Sequence, residues 1–247
     1  MKTIILLICA LVIMPFAGSA QYAGQPATNL SGAGAQNVNG AAISMLSSSL
    51  NKNKSNRYIS DDFIGSPYTD NNFKPALLFY EDENQGQVYY RYNAYNEEIE
   101  IKKNPLEEET INALHTDKAI SIELGGGKRL SFKTFIDKSD NTLNGYLTKL
   151  YDGEIYDLFK RTKVKFTEAQ PAQNSFVKAT SNRFTHFTEY YLQKKGVNKI
   201  EEIILKNRKL LKMVDTAKKK ELEVFIKDNN LKIKNEIDLI KAIQFLN

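Results

Sequence analysis

Cysteine is almost absent from this chain: the 247 residues hold one, Cys9, within the first twenty. An intrachain disulfide, a cysteine-ligated zinc and a disulfide-linked partner are therefore not expected. Histidine is scarce as well. His115 and His186 stand far apart, and neither belongs to a metal-ligating spacing such as H-E-x-x-H. Each is expected to make an ordinary hydrogen bond, and no metal site is expected. A G-x-S-x-G turn for a serine nucleophile is also missing. The run Gly125-Gly126-Gly127-Lys128-Arg129 has Ile122 where a phosphate loop needs its first glycine, and Arg129 where it needs Ser or Thr. It reads as a hairpin turn. These absences leave no catalytic residue and no cofactor to nominate.

What is present begins with an address. Met1-Lys2-Thr3 is a short basic start, Ile4 to Met14 is apolar throughout, and Gly18-Ser19-Ala20 supplies small residues before Gln21. That layout predicts a secretory signal cleaved near Ala20, with the product in the periplasm, on the cell surface or outside. Eleven apolar residues are too few to span a bilayer as a helix. Leu7 and Ile8 are too bulky for Cys9 to serve as a lipid-attachment residue. Cleavage would remove the single thiol, so stability has to come from burial in a domain of ordinary size.

Charge is distributed unevenly. Lys194 to Asn247 holds fourteen Lys/Arg against eight Asp/Glu, whereas residues 21–193 are close to neutral. A basic tail suits weak contact with an acidic membrane surface. Its lysines alternate with acids at helix-surface spacing, so a solvated helical face is the simpler account of them. Nucleic acid is not an expected partner of an exported chain.

Residues 21–56 are rich in Gly, Ala, Ser, Asn and Gln and read as a flexible leader, with at most a turn or two of helix over Ala41 to Leu50. Residues 57–193 read as antiparallel strands. Val88, Tyr90, Tyr92 and Ala94 alternate with Tyr89, Arg91, Asn93 and Tyr95, and Ile99, Ile101, Ile120, Ile122 and Leu124 alternate with polar residues. Asp152-Gly153 between two apolar runs predicts a hairpin, and Phe184 to Leu192 a further strand. Pro105 to Leu114 is expected to form a short helix, since proline suits a first turn. Residues 194–247 are expected to be helical, capped by Asn207, by Asp215 or Thr216, and by Asn235 with Asp238 three residues on.

The densest cluster is Tyr89-Tyr90-Arg91-Tyr92-Asn93-Ala94-Tyr95-Asn96. Tyr90 and Tyr92 are expected in the core. Tyr89, Arg91, Asn93 and Tyr95 are the candidate ligand-binding residues, able to stack on and hydrogen-bond a sugar or peptide. Together with Gly65-Ser66-Pro67-Tyr68, Glu97-Glu98-Ile99-Glu100, Gly145-Tyr146 and Asp238-Leu239-Ile240, this stretch resembles a family of exported Bacteroidetes proteins of unknown function, marked by R-Y-N-x-Y-N and a lysine-rich helical end. The resemblance covers about residues 57–247. It implies a cell-envelope setting and brings no binding or catalytic residues with it.

The expected fold is α+β: an antiparallel meander, curled or partly closed into a barrel, followed by a small helical segment packed on it. The expected role is a non-enzymatic interaction module whose partner is an envelope protein or a glycan. One rival is a secreted hydrolase with two carboxylates held roughly 5–10 Å apart across a cleft. Another is membrane-surface or partner docking through the basic helices.

Overall fold

A computed structural model describes residues 38–50, 63–172, 176 and 178–247. The expected signal and most of the expected leader lie outside the described residues. Twelve strands share one sheet: β1 Ser47–Ser49, β2 Phe63–Ile64, β3 Lys74–Tyr80, β4 Glu83–Asn93, β5 Glu98–Lys102, β6 Asn112–Leu114, β7 Ile120–Glu123, β8 Arg129–Ile136, β9 Thr142–Tyr151, β10 Tyr156–Thr167, β11 Asn182–Lys194 and β12 Ile200–Ile203. Helix α1 is Gly40–Leu46, and α2 Asn207–Met213, α3 Thr216–Asp228 and α4 Glu236–Leu246 end the chain. The fold is α+β, and its antiparallel meander is curled as the alternation predicts.

The curl closes. Strand β8 pairs with β9, β9 with β10, β10 with β11 and β11 with β12, and β12 returns to β8 through a parallel contact at Glu201 and Ile136. Alternation along each strand sends one apolar side chain inward. Phe135, Leu147, Phe159, Tyr191 and Ile200, one from each strand, form that interior, none more than 6 % exposed. Strand β2 pairs in parallel with β11, and the other strands extend from β8 as an open sheet in the order β7, β3, β4, β5, β6, β1. Its core includes Leu78, Val88, Tyr92, Ile99, Ile101 and Ile122. Each such side chain removed from water contributes about 1.5–3 kcal/mol.

The third core lies between the helices and the ring, where Leu210, Leu222, Ile226, Leu239 and Ile243 meet Tyr156, Leu158, Tyr190 and Leu192. Asn235 caps α4 as its spacing predicts, accepting from the Asp238 amide at 2.9 Å. Asp215 stands at the N-cap of α3 without a side-chain capping bond, because its carboxylate pairs with Lys194 at 2.7 Å. Asn207 is the first residue of α2 and not its cap. Its amide instead accepts from the Ile233 amide and donates to the Leu231 carbonyl, at 2.9 and 3.3 Å, tying α2 to the loop before α4.

Three expectations need correction. Residues 38–50 are not a flexible leader. Val38 and Leu46 are buried in the open sheet's core, and β1 pairs with β6. Pro105 to Leu114 forms a turn and β6 instead of a helix, because the Lys102 ammonium draws in the Leu106 and Glu107 carbonyls at 2.9 and 3.4 Å. The helical segment starts at Asn207 and not at Lys194, since Ile200 fills the ring interior and Ile203 the core under the helices, which makes Ile200–Ile203 a ring strand. The Asp152-Gly153 hairpin forms with a four-residue loop. Asn247 holds it, its side-chain oxygen accepting from the Ile155 and Tyr156 amides at 2.7 and 2.8 Å. The triple glycine does form a hairpin turn, with Gly126 and Gly127 at φ of 79° and 72°.

Candidate functional site

Strand β10 is paired differently along its two halves. Tyr156 to Lys160 has β11 on one side and, over Leu158 to Lys160, β9 on the other. From Arg161 to Thr167 the β11 pairing continues, while among the described residues no strand pairs with the opposite edge. Outside a closed ring, such an edge presents unpaired backbone donors and acceptors. A groove of about 720 Å³ follows this edge, lined by Tyr95, Lys163, Val164, Lys165, Phe166, Glu168, Phe187 and Glu189.

The walls come from separate elements. Phe166 and Phe184 are directly opposed across β10 and β11, with ring centroids 5.0 Å apart. Phe63 of β2 lies 6.0 and 5.7 Å from those two rings, and Tyr95 lies 6.2 and 5.5 Å from them. The other side carries Phe187, 47 % exposed, opposite Lys163. Aromatic walls beside a polar edge supply apolar contact area together with directional hydrogen bonding.

Tyr95 is set in place by its neighbours in the β4–β5 turn. Asn93 is buried, and its side-chain oxygen accepts from the Tyr95 and Asn96 amides at 3.2 and 3.0 Å. Asparagine favours this kind of turn because its short side chain reaches the backbone two residues on. Glu97 follows with φ of 56°.

Arg161 begins the unpaired edge and holds Glu189, which lines the groove. It donates to Glu97 Oε1 and lies 3.5 Å from Glu189 Oε2, its guanidinium 4.9 Å above the Phe135 ring. Burial works against the charge on Arg161, but the hydrogen bond and field of Glu97 outweigh it and hold the pKa above its ordinary value. Burial, then the Glu189 hydrogen bond, push the Tyr191 hydroxyl pKa well up, and that hydroxyl donates to Glu189 at 2.9 Å.

The four sequence candidates divide. Tyr95 lines the groove, and Asn93 orients it. Arg91 is 4 % exposed and engaged inside the open sheet: Nε donates to Glu100 Oε2 at 3.0 Å, Nη1 to the Asn71 carbonyl and Nη2 to the Tyr68 hydroxyl, both at 3.3 Å. The Tyr68 ring lies 3.9 Å beneath the guanidinium. Tyr89 is half-buried on the same strand and does not line the groove. The sequence reading missed Phe63, Phe166, Phe184 and Phe187. The signal available was the hairpin register, which opposes Phe166 with Phe184.

Both histidines make single ordinary contacts, His115 with Ser48 Oγ at 2.9 Å and His186 with the Ser66 carbonyl at 2.7 Å. Among the described residues, no three His, Cys, Asp or Glu side chains gather to hold a metal. Five described carboxyls have shifted pKa values, Asp70, Asp137, Asp152, Asp215 and Glu236, and all five are lowered. A general acid at neutral pH requires the opposite direction. Among the described residues no helix is long and apolar enough to cross a membrane. The chain matches no protein-family model, and neither a curated protein nor a solved structure is significantly similar to it.

Proposed function

We propose that this chain is an exported, non-enzymatic binding module of the cell envelope that takes up an extended polypeptide segment of a partner along the outer half of β10. The signal-like N-terminus and the R-Y-N-x-Y-N resemblance support the setting. The single observation that carries the binding reading is the juxtaposition of an unpaired strand edge, residues 161–167, with the aromatic walls of one groove. An added strand would satisfy the edge amides and carbonyls, and its alternate side chains would meet Tyr95 and Phe166 on one side and Phe187 on the other. Lys165 favours an acidic residue in that strand, Lys163 being paired with Glu189 at 3.6 Å. Arg161, held by Glu97 and Glu189, keeps the edge in place without entering the interaction chemically.

The test uses synthetic hexapeptides that alternate valine with glutamate, compared with the same sequences carrying backbone N-methyl groups. Fluorescence anisotropy should show saturable binding of the unmethylated peptides and its loss on methylation, because methylation removes the pairing amides. Tyr95→Ala should weaken binding about tenfold, as expected for losing roughly 1.4 kcal/mol of aromatic contact. Equal binding of methylated peptides, or binding of soluble oligosaccharides alone, would refute strand addition.

A further inference from the structure

A second surface lies at the helical end. Helices α2 and α3 and the loop before α4 enclose a groove of about 920 Å³. Leu211, Ile226 and Leu231 form its floor, and Arg208, Lys212, Lys219, Lys227 and Lys232 surround it with Glu223. Other lysines of this region are paired, Lys194 with Asp215, Lys195 with Asp157, Lys199 with Glu201 and Lys218 with Glu221. Among the described residues, no carboxylate lies within ion-pair distance of the five that surround the groove. The Asn207 bridge to residues 231 and 233 fixes its shape before any ligand arrives. An apolar floor under unpaired cations calls for a ligand with an apolar tip and acidic neighbours.

The chain itself carries such a ligand. In the turn between β5 and β6, Leu106 is 64 % exposed and carries the acids Glu107 and Glu109 beside it. Lys102 binds the Leu106 and Glu107 carbonyls from within, so the turn is built with its leucine outward. The turn belongs to the open sheet, on the far side of β4, β3 and β7 from β8, whereas α4 packs on β9 and β10, α3 on α4 and α2 on α3. The two patches are therefore distinct and face different regions of the protomer.

We infer that this groove docks the Leu106–Glu109 turn of a second copy of the chain. The contact is heterologous, patch to different patch, so it propagates head to tail unless the rotation closes a ring. It is small and charge-driven, with a dissociation constant on the order of 100 µM, and salt screens it.

Sedimentation velocity on the signal-free chain tests this. The sedimentation coefficient should rise with concentration at low ionic strength and fall back in about 1 M salt, where screening extends to about 3 Å. Lys212→Glu with Lys227→Glu should weaken self-association at least tenfold, as should Glu107→Lys with Glu109→Lys. Circular dichroism checks that both pairs remain folded. An equimolar mixture of the two variants should associate again, because each reversed groove then meets a reversed turn. The inference is overturned if the wild type stays monomeric at millimolar concentration, if association survives charge reversal, or if the mixture fails to restore it. A wild type that stays monomeric but binds phosphatidylglycerol vesicles through these lysines would assign the groove to an external anion instead.

Discussion

The two halves of β10 are continuous in sequence, yet they live in different surroundings. Tyr156 to Lys160 forms part of the closed ring, with Phe159 filling its interior and Leu158 its helix-covered exterior. Arg161 to Thr167 runs on past the ring with one edge unpaired among the described residues. A barrel removes its edges by closure, and a strand that outruns the closure exposes one again. Function is therefore sought where the strand outlasts the barrel. Arg161 marks the boundary, one face on the ring's Phe135 and its guanidinium nitrogens on Glu97 and Glu189.

Substitutions along this one strand should separate the halves. Phe159→Ala, in the closed half, is expected to cost about 3–5 kcal/mol of unfolding free energy, because the ring cannot collapse around the lost volume. Urea denaturation measures it, and a loss under about 1 kcal/mol would mean the ring interior is not close-packed. Arg161→Ala should cost about 1–3 kcal/mol, since it removes charged hydrogen bonds from partly buried carboxylates, and should also weaken peptide binding by freeing Glu189 of the groove lining. Phe166→Ala, in the open half, should cost about 1–2 kcal/mol by the same denaturation assay, less than Phe159→Ala because its ring is only half-buried.

The smallest effect is the pH dependence that Glu236 contributes through its bond to Lys160 of the closed half. Burial acts to raise the Glu236 pKa, but its bond from Lys160 at 2.7 Å and that ammonium's charge outweigh burial and lower it from 4.5. A depressed folded-state carboxyl stabilises fully above its unfolded pKa and loses that contribution as pH falls through the lower folded value. Acid below about pH 4.5 should therefore loosen α4 from β10 by under ~1 kcal/mol, and Glu236→Gln should flatten that part of the stability curve. Thermal melts between neutral pH and about pH 3 would show it. A Glu236→Gln variant with an unchanged acid slope would place the dependence elsewhere.

Much of this arrangement was legible in the residues. Period-two alternation located β4, β5 and β7, Asp152-Gly153 located the β9–β10 hairpin, and Asn235 located the start of α4. Those signals are local, so a single sequence carries them. What escaped was set at long range. Ring closure rests on Ile200 and Phe135 meeting inside the barrel, and the short lysine-flanked strand β12 looks polar until that interior exists. Arg91 shared an alternation face with Tyr89, but Glu100, from the neighbouring strand, and Tyr68 drew it into a buried network. Tyr95 was found by local density. The phenylalanines that make its surroundings a groove come from β2, β10 and β11, and no local pattern joins them.

Amide hydrogen exchange along β10 tests the central contrast most directly. Exchange rates follow local opening and exposure of backbone hydrogen bonds. Alternate amides in residues 161–167 should exchange on the order of 100-fold faster than those of the doubly paired segment 158–160, and should slow when an unmethylated strand peptide is added. Uniform protection from 158 to 167 in the peptide-free protein would contradict the open edge on which the account rests.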